Sequence, residues 1–305
     1  MLKSLKRVKN KSSISGTREW ADYNVNCVFG CSNNCRYCYA KMMAKRFGRA
    51  TEETWKIMNV NTVTMNKNYV KKNGRVMFPS SHDITEDPEI ERACFVVLSN
   101  LLENGNEVLV TTKPRFSIVK KIVSRFIGYQ ESMQFRFTIS SLDDGLLRFW
   151  EPNAPLFQER MDSLKFAFDN GFRTSVSIEP FLDYHPEELV RRVEAYCTES
   201  IWIGKMNYIQ RNNLTSFEKN YYENVRKNYT LDHLEEIFLN LNENPKIRFK
   251  DSFGIKTQSN KVSAGYSADT KFSNRRYLAF KLFERQFLFI CICKIEKPDL
   301  SSMIL

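Results

Sequence analysis

Between residues 22 and 207 the chain repeats one pattern: a short β-branched or aromatic run, a polar cluster, then apolar residues at helical spacing. Strand-like runs fall at 22–29, 75–78, 107–111, 135–139, 174–178 and 201–203, and helical stretches at 39–47, 88–102, 116–126, 156–170 and 186–196. Pro88 opens the second of these helices, where a missing N–H costs nothing; Gly105 stops that same helix and Gly171 the one at 156–170. Pro114 closes the third strand. Strands separated by helices run parallel, joined by right-handed crossovers. The expected fold is therefore α/β, a partial (β/α)6 TIM-type barrel with a C-terminal extension. Barrels of this kind gather their active groups at the C-terminal strand ends. The polar clusters Ser80-Ser81-His82-Asp83, Thr112-Lys113, Ser140-Ser141, Glu179-Pro180 and Gly204-Lys205 fall at those ends.

After the first strand comes Cys31-Ser32-Asn33-Asn34-Cys35-Arg36-Tyr37-Cys38, three cysteines spaced x3 and x2. Thiolates hold iron–sulfur clusters, normally one per iron, so this triplet supplies three ligands to a four-iron cube and leaves one iron open. Cys27 lies four residues before Cys31, which keeps a four-thiolate zinc site or a closed cluster as alternatives. Zinc sites usually come as two short cysteine pairs separated by a longer arm, and Cys27 sits in an apolar run, where a free cysteine is ordinarily a small buried hydrophobe. A disulfide framework fits poorly: eight cysteines in 305 residues, with no apolar signal segment at the start, describe a reduced, cytoplasmic protein. With only three histidines, a histidine-based metal or hydrolytic centre is disfavoured, and His185 and His233 read as surface residues.

The cysteine spacing, with Tyr37 just before the last cysteine, resembles the signature of the radical S-adenosylmethionine superfamily. Asn26, Gly30-Cys31 and Cys35-Arg36-Tyr37-Cys38-Tyr39-Ala40 look like the start of its spore photoproduct lyase-like branch. Later landmarks of that branch are matched by Asp83 with Pro88, Thr112-Lys113, Ser140-Ser141, Glu151-Pro152 with Arg160, and Pro180, so the resemblance covers about residues 20–207. Asn33 departs from it, since relatives often carry a histidine there, and no position answers to the hydrogen-donor cysteine of the lyase itself. The resemblance implies a [4Fe-4S] cluster on Cys31, Cys35 and Cys38 whose open iron chelates S-adenosylmethionine. It implies a 5'-deoxyadenosyl radical that abstracts a substrate hydrogen, and a reductant such as flavodoxin or ferredoxin. Tyr37 would pack on the adenine, Ser140 and Ser141 would face the ribose or methionine group, and Lys113 would meet the methionine carboxylate. Asp83 would replace an absent Gly-Gly-Glu stretch that receives the methionine amino group, and Glu179 would point into the barrel mouth. Glu151 either pairs with Arg160 to brace the fourth loop, the reading favoured here, or reaches cofactor or substrate.

The partner is less sharply drawn. The formal charge is +11, and residues 1–50 carry eleven Lys or Arg against Glu19 and Asp22, a net +9. A basic arm at 1–20 containing Lys3, Lys6, Arg7, Lys9 and Lys11 is either a polyanion footprint or a solvated tail. Together with an aromatic content of 13% it makes a nucleic acid or nucleotide substrate plausible. The alternative is a non-catalytic nucleic-acid-binding protein with structural zinc or a closed cluster. No uncharged apolar run reaches the roughly 18 residues of a membrane span, so no membrane partner is expected. The organisation expected is the arm at 1–20, the barrel at 21–212, a helical part at 213–253 with helices at 214–228 and 231–242 and a short strand at 246–250, and a linker and aromatic-rich tail at 254–305. Cys291 and Cys293 in that tail read as apolar filler.

Overall fold

The strand-like runs become strands that lie side by side in chain order. The structure is a computed structural model that describes residues 15–254. The expectations for residues 1–14 and for the tail from 255 onward, Cys291 and Cys293 included, lie outside the described residues. A turn of 3-10 helix over Gly16–Glu19 leads into β1 (Tyr23–Asn24), β2 (Val28–Phe29), α1 (Tyr39–Arg46), β3 (Asn59–Val60) and the single-turn α2 (Thr62–Met65). Then follow β4 (Val76–Phe78), α3 (Pro88–Glu103), β5 (Val108–Thr112), α4 (Phe116–Arg125), β6 (Met133–Thr138), α5 (Asp144–Trp150) and α6 (Phe157–Asp169). The described chain ends with β7 (Arg173–Ile178), α7 (Pro186–Val193), β8 (Ile201–Ile203), α8 (Ser216–Asn228), α9 (Leu231–Leu241) and β9 (Ile247–Phe249).

Seven strands, in the order β1-β4-β5-β6-β7-β8-β9 and all parallel, form one sheet curled into a half-barrel and flanked by helices. The α/β half-barrel expected from the alternation is thus present, with one more strand than the six counted. The short strand foreseen at 246–250 is the extra one: β9 pairs with β8 and extends the sheet past residue 212. The first strand is shorter than expected. Only Tyr23 and Asn24 pair in the sheet, while Val28 and Phe29 pair antiparallel with β3 in a separate ribbon. Asn26 stands at the break. Its Oδ1 accepts from the Ser80 and Ser81 N–H groups at 2.7 and 2.8 Å, so a side chain supplies the contacts that a continuing strand would have made. A further helix, α5, replaces part of an expected loop; Asp143 caps it, accepting from Gly145 and Leu146 N–H at 2.6 and 3.1 Å.

Side chains alternate across the strands. In β6, Met133, Phe135 and Phe137 are buried on the helix side. The Phe135 ring stacks on Phe137 at 5.1 Å and meets Phe172 edge-on at 5.4 Å. Leu98 and Leu101 of α3, Ile122 of α4 and Leu164 of α6 complete that layer. Gln134 and Arg136 face the concave side. His233, expected at the surface, is buried against Tyr184 with ring centroids 3.9 Å apart, because α9 packs beside α7. Truncating Phe135 removes a ring that contacts two others. Phe135→Ala is expected to lower the unfolding free energy by roughly 3–5 kcal/mol in urea titration, with the slope of the transition unchanged.

Candidate functional site

The loop carrying the three cysteines begins at a residue that only glycine can fill. Gly30 has φ +83°, and a Cβ built there would lie 2.1 Å from the Ile57 carbonyl oxygen and 2.8 Å from that of Trp55. The Cys31 N–H donates to the Trp55 carbonyl at 2.9 Å, Asn34 takes the left-handed conformation at φ +46°, and Cys38 ends the loop as the cap of α1. Its Sγ accepts from the Lys41 N–H at 3.4 Å. Lys41 in turn donates to Asn34 Oδ1 at 3.2 Å and to Glu52 at 2.9 Å, so α1 holds the loop from below.

Two carboxylates hold it from the sheet. Asp83, past the end of β4, is buried and accepts four hydrogen bonds. Oδ2 takes the Asn33 amide at 2.7 Å and the Lys113 N–H at 3.0 Å; Oδ1 takes the Ile84 N–H at 2.8 Å and the Thr112 hydroxyl. Four donors fill a carboxylate's ordinary acceptor capacity, so Asp83 ties the cysteine loop to the ends of β4 and β5. Asn33, 1% exposed, also accepts from Arg115 Nη2 at 2.9 Å. The same nitrogen of Arg115 donates to the Asn153 carbonyl at 2.8 Å, and Asn153 donates to the Ser32 carbonyl at 2.8 Å.

Glu151 is the second anchor. Oε1 accepts from the Tyr37 hydroxyl and, at 2.7 Å, from the Ser140 hydroxyl, while Oε2 pairs with Arg160 Nη2 at 2.5 Å. Both side chains of this ion pair are fully buried. Arg160 is completed by the carbonyls of Pro155 at 2.7 Å and Thr138 at 3.2 Å. Burial acts to raise the Glu151 carboxyl, but the Arg160 and Lys113 charges and the Tyr37 and Ser140 hydroxyls outweigh it and hold it below the usual range. Arg36 adds the outer clasp: its N–H and Nε donate to the Trp150 and Phe149 carbonyls at 2.9 and 2.8 Å, and Nη1 pairs with Glu218 at 2.7 Å.

Cys31 and Cys35 are buried at this junction. Burial, then the negative charges of Asp83 and Cys38, push the Cys31 thiol up to about 12. Burial also drives the Cys35 thiol well up, with Lys113 opposing it and Glu151, Cys38 and Cys31 adding to it. Burial pulls the Lys113 ammonium down, but Cys35 and Glu151 prevail and hold it above its ordinary value. Its Nζ lies 5.6 Å from the centre of the Tyr37 ring. The three thiols therefore lie within each other's field, and Cys31 and Cys35 also feel the Lys113 cation. That all-sulfur donor set from a single loop suits an iron–sulfur core. Among the described residues no group of three or more His, Cys, Asp or Glu is gathered closely enough to clasp one ion. The thiolates of a cube stand farther apart than the ligands of a single zinc.

The residues singled out in the sequence divide. Cys31, Cys35, Cys38, Tyr37, Asp83, Lys113 and Ser140 come together through the two carboxylates. Ser141 turns aside, donating to Asp183, which also takes the Leu142 N–H at 2.8 Å. Glu179 stands with Ser252, 3.2 Å away, and no hydrogen bond links it to the cysteine loop. Burial pushes its carboxyl up against the pull of Lys250. Sequence reading missed Arg36, Asn153 and Arg115 as loop supports. Arg36 was visible inside the cysteine loop; Arg115 carried no signal beyond its place at the start of a helix.

No protein-family model matches the chain. It is 27% identical over 180 residues to an uncharacterized protein of Methanocaldococcus jannaschii, covering 58% of this chain and 67% of that protein. It is 25% identical over 172 residues to an uncharacterized protein of Acidianus two-tailed virus, covering 53% of this chain and 55% of the viral protein. Among solved structures, SuiB of Streptococcus suis, crystallised bound to S-adenosylmethionine, aligns with a TM-score of 0.41 and 10% identity over 73% of this chain and 45% of that one.

A carboxyl held below its unfolded value of about 4.3 contributes stability above that value, and the contribution is lost as pH falls through the folded value. Glu151 is such a group. The native chain should keep this contribution from neutrality down to about pH 5 and lose it below about pH 4. Glu151→Gln should lack it and cost roughly 3–5 kcal/mol at neutral pH, since Arg160 is left buried without a counter-charge. Urea unfolding across that pH range reads both effects.

Proposed function

We propose that the chain is a radical S-adenosylmethionine enzyme in which Cys31, Cys35 and Cys38 hold a [4Fe-4S] cluster with one open iron. The observation that carries this reading is a loop of three thiols, two of them, Cys31 and Cys35, in the field of the Lys113 cation just past the C-terminal end of β5. Held by these three cysteines, such a cluster would supply the one-electron reductive cleavage of the S-adenosylmethionine carbon–sulfur bond, and with it the radical for hydrogen abstraction from the substrate. The chain's residues do the rest. Lys113 offers its ammonium to the methionine carboxylate. Tyr37, its hydroxyl fixed by Glu151 Oε1, presents its ring to the adenine, and Ser140 donates to that same Glu151 oxygen. Asp83 is filled by four donors and so acts here by positioning the loop. Ser141 and Glu179 would reach cofactor or substrate only from the neighbouring loops that hold them.

Cys27 bears on the four-cysteine alternative. Its sulfur faces that of Cys94 at 4.0 Å, and its N–H donates to His82 Nε2 at 3.2 Å. A thiol engaged with α3 favours the three-ligand, open site over a closed one. A nucleic acid or nucleotide is the substrate class favoured by the rim. There the exposed rings of Tyr39 and Tyr208 stack at 6.0 Å, and Arg49 lies 5.4 Å over the exposed Phe47. Lys45 and Arg46 stand on the same helix, and stacking rings among phosphate-tracking cations are the common mode of single-strand binding. Flavodoxin or ferredoxin would supply the electron in a reducing cytoplasm. Among the described residues no helix is long and apolar enough to cross a membrane.

After anaerobic reconstitution with iron and sulfide, then dithionite and S-adenosylmethionine, the native chain and Cys27→Ala should form 5'-deoxyadenosine and Cys35→Ala should not. Bound iron and sulfide without product in the native chain would overturn the open-iron reading. Loss of the cluster in Cys27→Ala would favour the four-cysteine site instead.

A further inference from the structure

Buried charges are normally paired, yet the guanidinium of Arg136 is not. Arg136 lies in mid-β6, 3% exposed, in register with Thr111 of β5 and Ser175 of β7 on the concave face of the half-barrel. Its Nε donates to Ser175 Oγ at 3.0 Å, and its Nη1 has no hydrogen-bond partner among the described residues. Among the described residues no carboxylate stands within ion-pair distance of it. Glu179 and Glu199 act on it only through space. Two neighbouring cations are by contrast paired: Lys250 with Glu19 at 3.1 Å, and Arg75, which also acts on Arg136 through space, with Glu107 at 2.7 Å.

The surroundings share the deficit. Gln134 Oε1 and Ser177 Oγ, on the same face of the same two strands, are buried without partners among the described residues, and so is Trp20 Nε1. Two indoles flank the guanidinium, Trp20 at 4.9 Å and Trp202 at 5.3 Å. Such contacts offset only part of what burying an ion costs. In keeping with this, burial draws the Arg136 guanidinium down to about 9.

We propose that the concave face around Arg136 is a binding site for the oxyanion of a small molecule, a carboxylate or a phosphate, with the guanidinium as its charge partner. A planar fork of N–H donors suits either group. Coverage by the half-buried Trp20 and by Trp202 confines the ligand to a short anionic group rather than a polymer backbone. The site is independent of what the cysteine loop carries, because no cysteine contacts it, and it can be assayed on the chain without a cluster.

The full chain is titrated with inorganic phosphate and, separately, with benzoate in a chloride buffer, reading melting temperature and tryptophan emission. One probe is expected to give a saturable response in both readouts: phosphate if the ligand is a phosphate ester, benzoate if it is a carboxylate. In Arg136→Gln the apparent affinity should fall about tenfold or more, the loss expected for a charge-assisted hydrogen bond. An unchanged affinity in that variant, or no saturable response of the native chain to either probe, would overturn the site. Should Arg136→Gln fail to fold, the double variant Trp20→Phe with Trp202→Phe is read instead. Its emission response must vanish, and a response of native size would place the anion elsewhere and overturn the site too.

Discussion

The candidate site depends on one buried ion pair. Glu151 and Arg160 have no exposure to solvent, and between them they fasten four separate pieces of chain: the cysteine loop through Tyr37, the end of β6 through Ser140 and the Thr138 carbonyl, the segment after α5, and the first turn of α6. A buried pair is weak evidence for stability as such, since an apolar replacement can do as well. Its value here is geometric. An apolar pair would fill the volume but could not orient a phenol and a hydroxyl on one carboxylate oxygen.

Asp83 repeats the device on the other side of the loop. It is acceptor-saturated, buried, and built from the end of a neighbouring strand. Between these two anions Lys113 supplies the local cation, so the loop thiols sit in a field that the protein has fixed in advance. That arrangement lowers the reorganisation needed when charge changes on the sulfurs. The concave face at Arg136 is the opposite case: a cation with indoles and neutral polar groups around it and, among the described residues, no anion in contact.

Much of this was legible in the chain. Periods of strand and helix, with Pro88, Pro114, Gly105 and Gly171 as punctuation, located the sheet and most of its helices to within a residue or two. The Ile201–Ile203 strand fell where its β-branched run lies, and the helices 214–228 and 231–242 shortened only at their ends. The pairing of Glu151 with Arg160 was also visible, since nine residues separate them around a Pro-rich turn. What escaped was whatever depends on distant partners. The break after Asn24 follows from Asn26 reaching residues 80 and 81, and α5 depends on apolar residues that meet α8 rather than the sheet. Whether a hydroxyl faces a cofactor or a neighbouring carboxylate is likewise unwritten in a Ser-Ser pair: Ser140 and Ser141, adjacent in sequence, serve Glu151 and Asp183 respectively.

Arg36 has one more consequence, for the order of events during synthesis. It sits between the second and third cysteines, yet its partners are Phe149, Trp150 and Glu218, separated from it by 113 to 182 residues. Domains form N-terminal parts first as the chain emerges, and contacts of such long range must await their distant halves. The three thiols are made before the clasp that shapes their loop, so the loop takes its final form only once residues 149, 150 and 218 have emerged.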